Sequence, residues 1–334
     1  MPLSRIPHHL LKRYPLGYNH IINGNFDIWQ RGTNQTTAGY GSDDYWINAH
    51  VGSTKTHSQQ AFTIGEVFPD GTPCPKFYSR TIVTSVAGIG NYCLKQTTIP
   101  KVFRLAGKRT RLVFYAKANA NKTLAIEALQ RWDSGTGYGT SDVKKVQLTT
   151  VWQRFSVSLD FNSLLGKIVD SSNVDKSAIL FWMDAGSNWN SRTDSLGQQS
   201  GTFDIACVSL VEGNIDIPVL PRTYAEEFKL CTTMYEEMIC VAQKQNVSGA
   251  WGGSGLINFP FSTEKFIVPV VTFYADAAKT LSGKVVVVGG ITSPALVSTI
   301  STSVDLRSLS IWNNTCCPTL AGYFYAWVVI DSSY

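Results

Sequence analysis

The sequence predicts an all-β protein made of two β-sandwiches with a helix between them. Three observations support this: short segments with apolar residues at every second position, turn-forming residues between those segments, and one stretch with helical spacing. The chain has 334 residues, which is too long for one small sandwich and suits two hydrophobic cores. Charged residues make up 16% and aromatic residues 12%, a composition that argues against extended disorder.

Residues 1–20 contain three prolines among basic and apolar residues, and we expect them to form an attachment arm. They hold no apolar run long enough for a signal peptide, and no later segment approaches the roughly 20 apolar residues of a membrane span. We therefore expect a protein that is made in a cytoplasm and does not insert into a membrane.

Residues 21–214 are predicted to form the first sandwich. Within residues 154–161 the apolar side chains occupy alternate positions, as a half-buried strand requires, and residues 112–116 and 124–128 repeat the pattern. Residues 178–183 are instead a continuous apolar run, which predicts a strand covered on both faces.

Residues 215–244 are predicted to contain a linker and an amphipathic helix. Thr223 and Glu226 have the spacing of a capping box, and Pro221 stands just before them. An apolar seam would then follow at steps of four and three, formed by Tyr224, Phe228, Cys231, Tyr235 and Met238. Two interpretations remain open: a helix that lies on a sandwich, or a short coil between subunits.

Residues 245–334 are predicted to form a second, smaller sandwich. Its last strand is apolar on both faces, so both faces need cover, and one of them could meet a neighbouring subunit. The candidate oligomer interface therefore comprises Tyr224, Phe228, Tyr235, Met238, Tyr325 and Trp327.

Between Asp70 and Glu127 the chain carries ten basic residues and no acidic one. The simplest interpretation places these cations on one solvated strand face. Attraction to an anionic glycan is a second interpretation. Nucleic acid is not expected, because no known nucleic-acid-binding motif accompanies the charges.

The seven cysteines show no metal-binding spacing, so we expect reduced, mostly buried thiols and no cofactor. Loops rich in Asp and Asn leave a structural calcium ion possible, but no calcium-binding motif supports it, and no metal ligands are assigned.

Four stretches in residues 21–214 resemble the galactose-binding-like jelly rolls of carbohydrate-binding modules. They are the Asn-Gly-Asn-Phe-Asp segment at 23–27 followed by Tyr45 and Trp46, the strand pair at 94–96 and 105–117, the Thr-Val-Trp-Gln-Arg segment at 150–154, and the closing strand at 203–213. This resemblance implies a galactose-binding-like jelly-roll sandwich with a possible sugar site.

A narrower resemblance points to phage particles. Residues 21–33 are similar to the segment that opens many phage tail-fibre proteins, and residues 222–231 are similar to the segment that follows the sandwich in that group. The resemblance implies a virion protein made in the bacterial host cytoplasm, a homotrimer, other tail or head proteins as partners, and host surface polysaccharide as a possible ligand.

An enzyme is not expected, because all five histidines fall within the first 57 residues and no hydrolase or P-loop motif is present. Paired carboxylates among Asp133, Asp184 and Asp204 leave a glycan hydrolase as a minor alternative.

Two polar loops supply the candidate ligand-binding residues. Trp132 and Asp133 lie in one loop, whereas Asn188, Trp189 and Arg192 lie in the other, where a large ring beside polar groups suits a sugar. Two further tryptophans, Trp46 and Trp182, stand in apolar contexts and are predicted to be core residues.

The leading hypothesis is therefore a tail-fibre or receptor-binding component that contacts a host glycan. The alternative, of a different class, is a structural virion subunit such as a capsid decoration, tail adaptor or fibre anchor with no glycan binding.

Overall fold

The computed structural model describes residues 17–133, 135, 137–169, 174–214, 216, 221–243, 257–265, 269–274, 278–280, 285–289, 295–297, 301–304, 307–312 and 322–332. The chain divides into two compact units, Met1–Glu227 and Phe228–Tyr334. The four-part domain division expected from the sequence remains a prediction.

Eleven strands, one short α-helix and two 3₁₀-helices, Val102–Arg104 and Ser187–Trp189, lie within the described part of the first unit. The strands and the α-helix are labelled in chain order. They are β1 (Asn34–Gln35), β2 (Trp46–Val51), β3 (Thr54–Ala61), β4 (Phe77–Thr84), β5 (Tyr92–Pro100), β6 (Arg109–Ala118), β7 (Lys122–Arg131), β8 (Tyr138–Leu148), β9 (Gln153–Asp160), β10 (Lys176–Ala185), α1 (Asn190–Thr193) and β11 (Gly201–Glu212).

These strands form two antiparallel sheets. The six-stranded sheet has the order β1-β3-β4-β11-β6-β9, and the five-stranded sheet has the order β2-β5-β10-β7-β8. Successive strands mostly alternate between the two sheets, which is the connectivity of a jelly roll.

The main core lies between the two sheets. On β6, Leu112, Phe114 and Ala116 point into it, and on β10, Ile179 and Phe181 meet them from the other sheet. The alternation predicted from the sequence is thus confirmed, because one face of each strand is apolar and buried. Burying a Leu, Ile or Phe side chain stabilises the fold by roughly 1.5 to 3 kcal/mol.

Strand β10 is buried along its whole length, as its continuous apolar run predicted. One face joins the main core, whereas Leu180 and Trp182 on the other face form a second cluster that Trp189 and Leu196 cover. The predicted core positions of Trp46 and Trp182 are confirmed, since these side chains are 0% and 1% exposed.

One helix joins the units, and the second unit is built of strands in its described part. The helix is α2 (Tyr224–Cys231), and the strands are β12 (Tyr235–Gln243), β13 (Ile257–Pro260), β14 (Val270–Tyr274), β15 (Val285–Gly289), β16 (Ala295–Val297), β17 (Ser301–Val304), β18 (Ser308–Trp312) and β19 (Gly322–Asp331).

Strand β19 is the centre of the second unit. It pairs with β12 along one edge, and with β14 and β15 in turn along the other. A second sheet has the order β13-β18-β17. Of the predicted doubly covered strand, Val328 and Ile330 are buried; the side chains of Tyr325 and Trp327 lie outside the described residues.

The predicted helix begins as expected but ends earlier. The capping box is present, because the Thr223 amide donates to Glu226 Oε2 at 2.9 Å and the Glu226 amide donates to Thr223 Oγ1 at 3.3 Å. The hydroxyls of Thr232 and Thr233 then bond carbonyls of the last turn, those of Lys229 and Leu230.

The predicted helical seam through Tyr235 and Met238 is therefore wrong. Both residues lie in β12, which pairs with β19 from Tyr235 to Gln243, and this long ladder outweighs the helical spacing of the apolar residues. The all-β fold class, with a jelly roll and a second, smaller sandwich, is confirmed. Among the described residues, no helix has the length and apolar character needed to cross a membrane.

Candidate functional site

A groove of about 540 Å³ lies on the outer face of the six-stranded sheet. Its floor is formed by β6 and β11, which contribute Val113, Tyr115, Cys207 and Ser209. All the residues that line it belong to the first unit.

The first wall of the groove is the turn at residues 23–25, which belongs to the tail-fibre-like segment. Asn23 is fully buried, and its side chain bonds the backbone of Ile28 and the carbonyl of Asp44, at 2.8 to 3.0 Å. The Val208 amide donates to the Gly24 carbonyl at 2.9 Å. A Cβ atom on Gly24 would lie 2.0 Å from the Val208 carbonyl oxygen, so only glycine permits this approach.

Arg222 and Glu227 form the second wall. They are hydrogen-bonded to residues 19–23, next to the first wall, and we call this set of contacts the clasp. Arg222 donates to the carbonyls of Ile21 (2.9 Å) and Asn19, and it pairs with Glu227 at 3.1 Å. Glu227 in turn accepts a bond from the Asn23 amide. The two tail-fibre-like segments, some 200 residues apart in sequence, are therefore in direct contact, which the sequence did not reveal.

The third wall is the segment between β3 and β4. Phe68 stacks on Tyr115 with 3.8 Å between ring centroids, and Trp152 packs edge-on against Phe68. The Tyr115 hydroxyl donates to Asp70 at 2.8 Å or Thr72 at 2.9 Å. These contacts hold the loop against the sheet and cover the face of the Tyr115 ring.

The ions around the groove are paired. Arg154 makes a two-pronged pair with Asp216, at 2.9 and 2.5 Å, and Arg222 is engaged by Glu227. The pairing with Arg154 lowers the pKa of Asp216. Asn25 lines the groove and is half-buried, and among the described residues its side-chain amide has no hydrogen-bond partner. Such a site offers hydrogen bonds without a net charge.

The predicted residues Trp132 and Asp133 lie at the β7–β8 turn. Asp133 Oδ1 accepts bonds from the amides of Gly135 and Gly137, both at 2.8 Å, so it acts as a turn residue. Trp132 is half-buried beneath Lys167, whose Nζ is 4.9 Å from the ring centroid.

The other predicted loop covers the outer face of the five-stranded sheet. Trp189 donates to the Gly90 carbonyl at 3.0 Å and packs against Trp182, while Arg192 donates twice to the fully buried Glu127, at 2.8 and 2.9 Å. Asn188 is exposed. Trp189 and Arg192 are thus engaged in contacts that hold their own loop.

The two predicted loops do not form one site. Arg131, next to Trp132, lies opposite Lys176 in the register of β7 with β10, so Trp132 is near the start of β10. Trp189 follows the end of that strand. The ten residues of β10 span roughly 30 Å. The structure therefore places the candidate ligand residues at opposite ends of the sandwich.

Sequence reasoning missed a buried polar cluster between the sheets. Lys95, Asp43 and His57 are all 0% exposed; Lys95 bonds Asp43, and His57 Nε2 lies 3.0 Å from Asp43 Oδ1. Burial alone would raise the pKa of Asp43, but the contacts with Lys95 and His57 hold it well below its ordinary range. Burial, together with Lys95, lowers the pKa of His57 to about 4.

The run of basic residues does not form the single solvated face expected from the sequence. Lys95 lies in the interior, and Arg80 makes a two-pronged pair with Asp204, at 2.8 Å for each contact. Its members occupy strands of both sheets because consecutive strands alternate between them.

The three aspartates considered for a hydrolase have separate partners. Asp204 pairs with Arg80, Asp184 accepts bonds from Ser53 and Ser85, and Asp133 bonds turn amides. Within the described ranges, no group of three or more His, Cys, Asp or Glu residues could hold a metal ion.

The candidate interface residues are separated. Tyr224 and Phe228 are 64% and 37% exposed on one side of α2, one turn apart. Tyr235 is 5% exposed, and its hydroxyl donates to Glu237 at 2.6 Å, whereas Met238 is half-buried.

No family model and no curated protein matches the chain. Several solved structures match part of the chain. A family 11 carbohydrate-binding module of Clostridium thermocellum, in complex with a mixed-linked tetrasaccharide, is 11% identical over 54% of this chain and 95% of that one, with a TM-score of 0.33. A putative sugar-binding protein of Bacteroides thetaiotaomicron is 16% identical over 59% and 100%, with a TM-score of 0.34.

A tailspike domain also matches. It is the enzymatically active domain of tailspike protein 4 of Bacteriophage CBA120, 16% identical over 58% of this chain and 21% of that one, with a TM-score of 0.31.

Proposed function

We propose that the protein is a non-catalytic, glycan-binding component of a phage tail, a tail fibre or receptor-binding protein, which takes its ligand in the groove on the six-stranded sheet. The observation that carries the proposal is the groove itself, about 540 Å³ in volume, with paired ions at its rim and a free amide at Asn25.

The chemistry of the groove suits a saccharide. Sugar hydroxyls both donate and accept hydrogen bonds, and an amide such as that of Asn25 can serve both directions at once. Arg154 and Arg222 already have carboxylate partners. An uncharged ligand could therefore bind without breaking either ion pair.

The place in a virion rests on the two segments that resemble tail-fibre proteins. The contacts of Arg222 with Asn19 and Ile21 make these segments parts of one structural feature, so their joint presence has a physical reason. The proposed virion role, with other tail or head proteins as partners, rests on the resemblance of these two segments.

The test is binding of the purified chain to polysaccharides from candidate host surfaces, measured by affinity electrophoresis or calorimetry. We expect Asn25→Ala to weaken binding about tenfold, because one hydrogen bond to the ligand is lost, roughly 1 to 1.5 kcal/mol.

Asn121→Ala is the matched control, since Asn121 is an exposed asparagine outside the groove and outside the loops predicted to bind a ligand. Equal weakening by both variants, or binding that neither of them affects, would contradict the placement of the ligand in the groove. No binding to any host polysaccharide would contradict the glycan-binding role.

A structural virion subunit without glycan binding is the second candidate, and exposed apolar side chains favour it. Leu165 and Ile168 are 95% and 84% exposed, and Phe103 is 64% exposed. Such side chains are often buried against another protein. Stable incorporation into particles by a chain that binds no polysaccharide would support this candidate.

We also propose that the protein is a homo-oligomer, a trimer as the tail-fibre resemblance implies. Tyr224 and Phe228 are the candidate contacts, because both aromatic side chains reach the surface of α2.

A further inference from the structure

Two half-buried thiols, those of Cys74 and Cys207, line the same groove and pack against the same aromatic cluster. Cys74 lies in the loop between β3 and β4, with Pro73 and Pro75 on either side. Cys207 lies on the strand beneath that loop. The two residues are 133 positions apart in sequence, so only the fold brings them to one groove.

The backbone at Cys207 is unusual. Its φ angle is 51°, in the left-handed region that residues other than glycine rarely adopt, and it lies in a bulge where the pairing of β11 with β6 shifts between Ala206 and Ser209. A bulge changes the direction of a side chain on a strand. Here it places the Cys207 side chain on the groove side of the sheet rather than in the core.

The Cys74 thiol also affects the pKa of the Cys207 thiol. Burial raises the pKa of Cys207 to about 12, and the proximity of Cys74 adds to this effect. Burial raises the pKa of Cys74 to about 11, with contributions from Glu66 and Asp70. At neutral pH both groups are therefore thiols, which react slowly with disulfides.

We propose that Cys74 and Cys207 form a redox-sensitive disulfide that ties the β3–β4 loop to the bulge of β11 across the floor of the groove.

The oxidant is a small disulfide such as oxidised glutathione. The Cys74 thiolate attacks one sulfur of the oxidised glutathione, which forms a mixed disulfide and releases one glutathione thiolate. The Cys207 thiolate then attacks the Cys74 sulfur and releases the second. Two protein thiols are oxidised, one disulfide molecule is reduced to two thiols, and the two protons pass to the released glutathione. Cys74 acts first because it is the less deeply buried of the two and is therefore more accessible to oxidised glutathione.

The experiment treats the native 334-residue chain with oxidised glutathione at pH 8.5 and maps its peptides by mass spectrometry without reduction. We expect a peptide pair linked through Cys74 and Cys207, formed more slowly at pH 7 because fewer thiolates are present. The fully buried thiols of Cys93 and Cys231 serve as internal controls and should stay unmodified.

Two variants make the result decisive. Cys207→Ser should accumulate the glutathione adduct on Cys74, since no second thiol resolves it, whereas Cys74→Ser should leave Cys207 unmodified. If Cys207→Ser carries the adduct while the unsubstituted chain also stops at the adduct, with no linked peptide, the proposal is overturned. It is equally overturned if neither thiol reacts in the native chain but both react in urea. These outcomes do not depend on whether the groove binds a glycan.

Discussion

Two neighbouring aspartates, Asp43 and Asp44, have opposite environments. Asp43 is bonded by Lys95 and His57, which keep its carboxylate ionised. Asp44 is 1% exposed, and its Oδ2 accepts a bond from Gln30 at 2.5 Å. Burial raises the pKa of Asp44 from 3.8 to about 7. The sequence alone could not show that the pKa of one aspartate is lowered and that of its neighbour is raised.

The raised pKa of Asp44 gives a pH dependence of stability. The folded chain binds this proton more tightly than the unfolded chain, so the stabilisation is complete below about pH 4 and is lost as the pH rises through 7. Asp44→Asn keeps a neutral side chain at every pH. We expect the variant to unfold like the unsubstituted protein near pH 4 and to be more stable at pH 8, by on the order of 4 kcal/mol at most.

Chemical denaturation at a series of pH values measures this difference. Asp43→Asn is the matched control and should do the opposite, because it leaves the buried Lys95 ammonium without its carboxylate and destabilises the fold at neutral pH. A constant difference between Asp44→Asn and the unsubstituted protein from pH 4 to 8 would contradict the raised pKa.

At the level of elements, the loop between β10 and β11 acts as a cover. It includes α1, and its Trp189 and Arg192 close the outer face of the five-stranded sheet over Trp182 and Glu127. The sequence indicated that the Trp189 ring in a polar loop must contact something. It could not show that the ring packs on Trp182 of the same chain. That requires the position of β7, which is distant in sequence.

Substitution of Arg192 tests whether this residue stabilises the fold or is free to bind a ligand. Arg192→Ala leaves Glu127 buried without its guanidinium partner, so we expect a loss of about 3 kcal/mol in the free energy of unfolding. Arg109→Ala is the matched control, because Arg109 makes the same two-pronged contact with Asp160 but both side chains are more than half exposed. That loss should be much smaller, because solvent screens the exposed pair. Equal, small losses in both variants would show that Arg192 is not structural.

Local sequence patterns predicted the start of helix α2 but not its end. The capping box at Thr223 and Glu226 is a short-range pattern, and it located the start of the helix correctly. The end was missed because Tyr235 and Met238 keep helical spacing by chance while the β12–β19 ladder decides their conformation. Pairing with a strand some 90 residues away has no local signature.

For the molecule as a whole, the alternation of apolar residues predicted the jelly roll, since each strand needs one face in the core. The groove could not be predicted, because its walls come from residues near 24, 73 and 222. Asn25 lay within a segment that the sequence singled out, but only the fold shows that this residue lines a groove.

The oligomeric state is testable at the same scale. We expect a trimer in sedimentation velocity at micromolar concentration, and a lower mass for the double variant Tyr224→Ser with Phe228→Ser, because exposed aromatic area is lost from α2. Tyr138→Ser is the control, since Tyr138 is 55% exposed at the β7–β8 turn. A monomer in the unsubstituted protein would contradict the trimer, and an unchanged mass in the double variant would remove α2 from the interface.

The clasp of Arg222 and Glu227 on residues 19–23 means that the chain enters and leaves the jelly roll at one place. A domain with adjacent ends can be excised, inserted into another chain or circularly permuted with little disturbance to its own packing. The exposed turn at Gly65 would be a suitable new terminus for such a permutant. In evolution, the same geometry would let this sandwich be exchanged between proteins as a cassette.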